Sequence, residues 1–213
     1  MDDIFMKNVV EYVSAGSKFF DTDAYRKHCK GPIILTLLAG TYPGIALKQY
    51  WLFMTLAMWI VSIACIWRVY SLSSYKTNLK LSLQMNAWIS GAWVFNLSIL
   101  ELMYFTIWKG FTPWFLLIYF PVIFIPVFFA IKIHKRLKMP DYNAQKNVNR
   151  AIGTVGFTTG MLGFSFARIF RNVEQSTAFL VVLICFSIIN ALMSLGLVSF
   201  LKLYYIKKYN ISV

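Results

Sequence analysis

Glu101 is the single carboxylate within the apolar segments of this chain, and burying an ionisable group at membrane depth costs at least a few kcal/mol. Asn86, Ser90, Trp93, Leu97 and Tyr104 fall on the same helical face as Glu101, which gives that segment a partly polar stripe. Two chemistries fit. One is a structural charge pair near the interface, with Arg168 and Arg171 as candidate partners at the same expected end of the bundle. The other is proton or ion coupling, with Asn86 and Asn96 beside the pathway. Glu101 lies two turns before Lys109, off the centre of its segment, and this favours the charge pair.

Other chemistries lack their residues. The two histidines, His28 and His134, lie in polar stretches, and no H-E-x-x-H run or Cys/His cluster at ligand spacing is present. Cys29, Cys65 and Cys185 are odd in number, and two of them lie in apolar segments, which argues against a disulfide framework. The apolar segments contain neither His nor Asp, so a paired-aspartate or Ser–His hydrolase has no material there. A phosphate-binding G-x-x-x-x-G-K-[ST] run is also missing. The expectation is a non-enzymatic protein without metal or cofactor.

What remains is packing chemistry. Gly153, Gly156, Gly160, Gly163 and Ala167 fall within an arc of about 80° on a helix. So smooth a face lets a second helix backbone approach closely, in this chain or in another. Ser187, Asn190, Ala191 and Ser194 form a smaller polar face, suited to pinning helix register.

The elements that must hold these residues follow from composition. Apolar residues make up 59% of the 213 positions and charged residues only 14%, which excludes an ordinary soluble globule and a disordered chain. Five stretches reach the roughly 20 residues that cross a bilayer: 50–67, 83–108, 111–131, 151–167 and 177–201. A sixth, 31–47, is short and interrupted by Gly40-Thr41-Tyr42-Pro43-Gly44. Pro121 and Pro126 predict a kink in the 111–131 span, while Pro113 sits harmlessly in its first turn. Broken first and fourth spans are also the pattern of inverted-repeat transporters, although the two halves share no residue-level similarity.

The net charge of +13 arbitrates the span count. Five spans divide the Lys and Arg residues nine to twelve, which gives no orientation. Counting 31–47 as a span collects seventeen cations on one side and leaves four, Lys48, Lys109, Arg168 and Arg171, on the other. The expected fold is therefore an all-α integral membrane protein: a six-span bundle with both termini cytoplasmic. The strongest basic run, Lys132, Lys135, Arg136 and Lys138, directly follows a span and suits anionic lipid headgroups or a soluble partner, not nucleic acid.

Three regions result: a cytoplasmic amphipathic segment 1–30, a membrane domain 31–205 and a basic tail 206–213. Residues 1–30 show no signal-peptide pattern. Instead Phe5, Val9, Tyr12, Gly16 and Phe19 recur at helical spacing, the mark of an interfacial helix or of one packed on the ends of the spans. Fifteen Lys against six Arg, with abundant Ile, Phe, Asn and Tyr, point to a low-GC bacterium and its cytoplasmic membrane. Two functions fit this chain. The first is an accessory subunit of a secretion or transport assembly, or a toxin-immunity protein, acting through a membrane partner or a second copy. The second is a small oligomeric transporter or channel with Glu101 in its pathway.

Overall fold

The computed structural model describes residues 3–15, 22–40, 49–73, 78–110, 112–143 and 175–211. Among them the elements are all helical: α1 (Asp3–Ser14), α2 (Thr22–His28), α3 (Gly31–Leu35), α4 (Gln49–Ser73), α5 (Leu79–Lys109), α6 (Leu116–Arg136), α7 (Gln175–Ser194) and α8 (Val198–Tyr209). One π-helical turn, Thr36–Gly40, continues α3, and 3-10 turns at Pro113–Phe115 and Leu195–Leu197 lead into α6 and α8. Three helical stretches are long and apolar enough to cross a membrane: Leu52–Ser73, Leu79–Lys109 and Leu183–Tyr209. The third joins α7, its 3-10 turn and α8 into one rod.

The helices outrun the apolar windows read from sequence. A window stops at the first charge, whereas the backbone ladder continues until a cap ends it. Thus α5 starts four residues early because the Asn78 side chain accepts a hydrogen bond from the Leu81 amide (2.9 Å). It ends at Gly110, whose φ of +74° suits glycine. At the other end of the chain, α8 closes on Asn210 in the left-handed region (φ +49°). Pro121 and Pro126 do not interrupt α6, which runs unbroken from Leu116 to Arg136.

α5 is the central helix. Against it α4 runs antiparallel: Ser62 meets Asn96, and Met58 lies in the same buried cluster as Leu100. The α7–α8 rod is antiparallel to α5 as well, since Ser199, Gly196 and Asn190 lie against Asn86, Ser90 and Ser98 in turn. A tight turn makes α6 antiparallel to α5 too, so α6 and α7–α8 are parallel. Their contacts agree. Tyr119 of α6 and Asn190 of α7 both reach Ser98, and equally far along each rod His134 meets Tyr205 (2.7 Å).

The N-terminal helix packs on the bundle end instead of lying free. α1 buries Phe5, Asn8, Val9, Tyr12 and Val13 among Leu83, Leu137, Tyr205 and Ile206. Ile4 (49%) and Val10 (43%) stay exposed on its other side. Gly16 and Phe19, the remainder of its expected stripe, lie outside the described residues. A second buried cluster joins Tyr25 and Cys29, at the α2 end, to Cys65, Val69 and Leu72 of α4 and Met85 and Ile89 of α5.

Candidate functional site

The polar residues of α5 divide between two seams. Asn86 donates to the Ser199 hydroxyl (2.6 Å), tying α5 to α8. Ser90 lies one turn on and touches the backbone at Gly196, where an added Cβ would collide with the serine side chain. These two residues share the face expected from their spacing, and the partner is the α7–α8 rod.

Asn96 faces the other way, into the junction of α3 and α4. Its amide nitrogen lies 3.1 Å from the Pro32 carbonyl, 3.1 Å from the Thr36 hydroxyl and 2.8 Å from the Ser62 hydroxyl. Thr36 opens the π-helical turn, and its hydroxyl donates back to the Pro32 carbonyl (2.9 Å). Backbone groups freed at membrane depth need internal partners, and Asn96 supplies one where the first segment departs from α-helix. Thr36, Ser62 and Asn96 all have no exposed surface. Thr36 and Ser62 escape a sequence reading because they sit on separate segments, where no periodicity links them.

Glu101 also has no exposed surface, and among the described residues the Asn190 amide is its hydrogen-bonding neighbour, although at loose geometry. Its polar surroundings come from three helices: Asn190 of α7, Tyr119 of α6 and Ser98 of α5. Two of their donors reach Ser98, and the second N–H of Asn190 and the Ser98 hydroxyl proton remain for the carboxylate. Asn190 Nδ2 donates to Ser98 Oγ (2.9 Å), and the Tyr119 hydroxyl donates to the Ser98 carbonyl. Arg168 and Arg171, the expected partners of Glu101, lie outside the described residues. So do Gly153, Gly156, Gly160, Gly163 and Ala167. Of the smaller face on α7, Asn190 reaches α5, while Ser187 and Ser194 bond their own helix at the Leu183 and Ala191 carbonyls (2.9 and 2.7 Å).

A groove of about 810 Å³ opens sideways between α5, α6 and α7. Its walls are apolar, from Phe105, Trp108, Trp114, Leu117, Phe129 and Ile184 among others, and Ser187 is its one polar lining residue among those described.

At the opposite end of the bundle the basic residues gather. Lys132, Lys135, Arg136 and Lys138 are exposed along the last turns of α6 and just beyond, with Lys132 over the Phe128 ring (5.9 Å). Lys207 and Lys208 of α8 and Lys7 of α1 are exposed at the same end. α1 holds them together, because the Asn8 amide donates to the Leu137 and Met139 carbonyls (3.0 and 2.8 Å) and so caps the end of α6. Lys202 donates to the Ala15 carbonyl at the end of α1 (2.5 Å) and lies 5.0 Å from the Tyr12 ring centre. Burial pushes the Tyr12 phenol above its ordinary range, and the neighbouring Tyr142 and Tyr205 phenols add to the shift. Asn8 was missed from sequence, although a lone amide on the apolar face of α1 was a usable signal.

No protein-family model, curated protein or solved structure matches this chain.

Proposed function

We propose that this chain is a non-enzymatic polytopic membrane protein that works through protein partners within the bilayer, as an accessory subunit of a larger membrane assembly. The observation that carries the reading is the fate of the α5 polar residues: Asn86, Ser90 and Asn96 are spent on helix-to-helix contacts and do not line a path. Such bonds average under about 1 kcal/mol and act as register pins.

The proposed topology has six crossings and both termini on the cytoplasmic side. Connectivity supports it. α6 ends beside α8, at the α1 end of the bundle, while α7 begins a full helix length away, so the two described ends lie at opposite ends of the bundle. The same logic covers the first segment. Arg26 bonds Ser73 at the cytoplasmic end of α4 (2.9 Å), Gly40 is level with Met58, and α4 begins at Gln49 beyond it. Trp88 and Trp108 on α5 lie twenty residues apart, or about 30 Å, the thickness of the hydrocarbon core, and tryptophan prefers its two boundaries.

In this frame the collar of Lys7, Lys132, Lys135, Arg136, Lys138, Lys207 and Lys208 meets the cytoplasmic leaflet. Each cation near anionic headgroups contributes about 1 kcal/mol. The host membrane is the bacterial cytoplasmic membrane.

The test is affinity purification of the intact protein in mild detergent, followed by native mass analysis. A discrete hetero-complex of fixed stoichiometry is expected. A lone species that moves solute across proteoliposomes would overturn the reading in favour of a transporter.

A further inference from the structure

Two parallel helices repeat one exposed pattern. On α6 the rings of Phe120, Phe124 and Phe128 stack at successive turns, with centroids 5.2 and 6.0 Å apart, and Lys132 follows 5.9 Å from the last ring. On α8, Phe200, Tyr204 and Lys208 recur at the same four-residue spacing, and the lysine lies 5.4 Å from the Tyr204 ring centre. All of these side chains are exposed. Each helix thus carries an aromatic track that runs toward the basic end and finishes in a cation.

The tracks share one side of the bundle. α6 and α8 meet where His134 bonds Tyr205 (2.7 Å). Turning about 100° per residue from that contact, Phe124, Phe128 and Lys135 swing one way on α6, whereas Tyr204 and Lys208 swing the opposite way on α8. Opposite rotations on two parallel helices that face each other lead to one side. Tyr119 and Ser199, which reach α5, fall on the other side by the same count. Lys135 and Lys208 therefore flank the helix contact on an outer face, within about 10 Å, one helix diameter.

Charge and shape select the occupant. Exposed rings below and ammonium groups above match a phospholipid, with chains along the rings and phosphate on the lysines. Two such tracks side by side match a lipid that joins two phosphates through one glycerol and carries two pairs of chains. We propose that the outer α6–α8 face binds one molecule of diphosphatidylglycerol, with its phosphates on Lys135 and Lys208 and its chains along the two aromatic tracks. The proposal rests on the reading that this end of the bundle meets a leaflet surface. It is tested on the protein alone, so it can fail while the hetero-complex stands, and the reverse.

The test is native mass spectrometry of the full chain in mild detergent, with diphosphatidylglycerol titrated against phosphatidylglycerol at equal phosphate and against phosphatidylcholine. One diphosphatidylglycerol per chain is expected, bound about tenfold more tightly than phosphatidylglycerol because its second phosphate is tethered. Lys135→Gln and Lys208→Gln each weaken it about fivefold, the worth of one cation at a headgroup. Lys109→Gln, an exposed site at the other end of the bundle, leaves it unchanged. All three lysines are exposed, so an unchanged melting temperature is expected and shows that each variant folds.

Equal affinity for phosphatidylglycerol at matched phosphate would overturn the proposal, as would binding that survives the double substitution of Lys135 and Lys208. A loss of the same size in Lys109→Gln would also overturn it, by assigning the effect to net charge alone.

Discussion

Asn96 and Glu101 stand five residues apart on one helix, both without exposed surface, and their surroundings are opposite in kind. Asn96 is a donor among acceptors and draws three elements together. Glu101 is a carboxylate beside the Asn190 amide, and its polar neighbours direct their best-formed bonds at Ser98. Burial by itself therefore does not tell what a buried polar group does; the donors and acceptors around it do.

Substitutions can break or sharpen this contrast. The largest expected effect is at Asn96. Replacement by Leu removes three contacts at membrane depth and should lower stability by about 2 kcal/mol, read by unfolding in mixed detergent. A loss near zero would remove the distinction between the two positions.

At Glu101 the expected sign reverses. Glu101→Gln should raise stability by about 1 kcal/mol, because a neutral amide is less costly to bury than a carboxylate. A loss would mean that the carboxylate has a cationic protein partner. Asn8 extends the contrast beyond the spans, since it follows the donor logic of Asn96 at an aqueous end. Asn8→Ala should cost about 1 kcal/mol and speed proteolysis of the N-terminal segment, leaving the spans intact.

The smallest effect concerns pH at the α2 end. Burial raises the Cys29 thiol above its ordinary value of 9.0 and the Tyr25 phenol above 10.0, so folding favours their neutral forms. Below about pH 8 both are neutral in the folded and unfolded chain and add no pH dependence. Above it the unfolded thiol ionises first, and stability falls as pH rises. A drop in melting temperature of about a degree between pH 8 and 10 is expected, and Cys29→Ala should flatten it.

The sequence announced the helical class through composition and located α4, α5, α6 and the α7–α8 rod through their apolar runs. Asn190 was legible as a register pin, whereas Asn86 and Ser90 read from spacing as a polar stripe beside Glu101 and instead meet the α7–α8 rod. Lengths were misjudged. Residues such as Leu137 and Tyr205 are buried with α1 beyond the apolar windows, and a window average cannot detect partners far away in the chain. The Asn96 junction was half legible. Its amide was visible, but Thr36 and Ser62 belong to other segments, and only the meeting of α3, α4 and α5 makes them one site.

The docking of α1 has a consequence for biosynthesis. This helix leaves the ribosome before its partners, since Leu137, Met139 and Tyr205, which hold it, follow the residues they contact by 129 positions or more. Throughout insertion its apolar face has no final resting place, and the basic collar cannot assemble until the C-terminal rod arrives. A chain truncated before Tyr205 would carry its spans but leave Tyr12 and Phe5 uncovered, a mark by which quality control can tell an unfinished protein from a complete one.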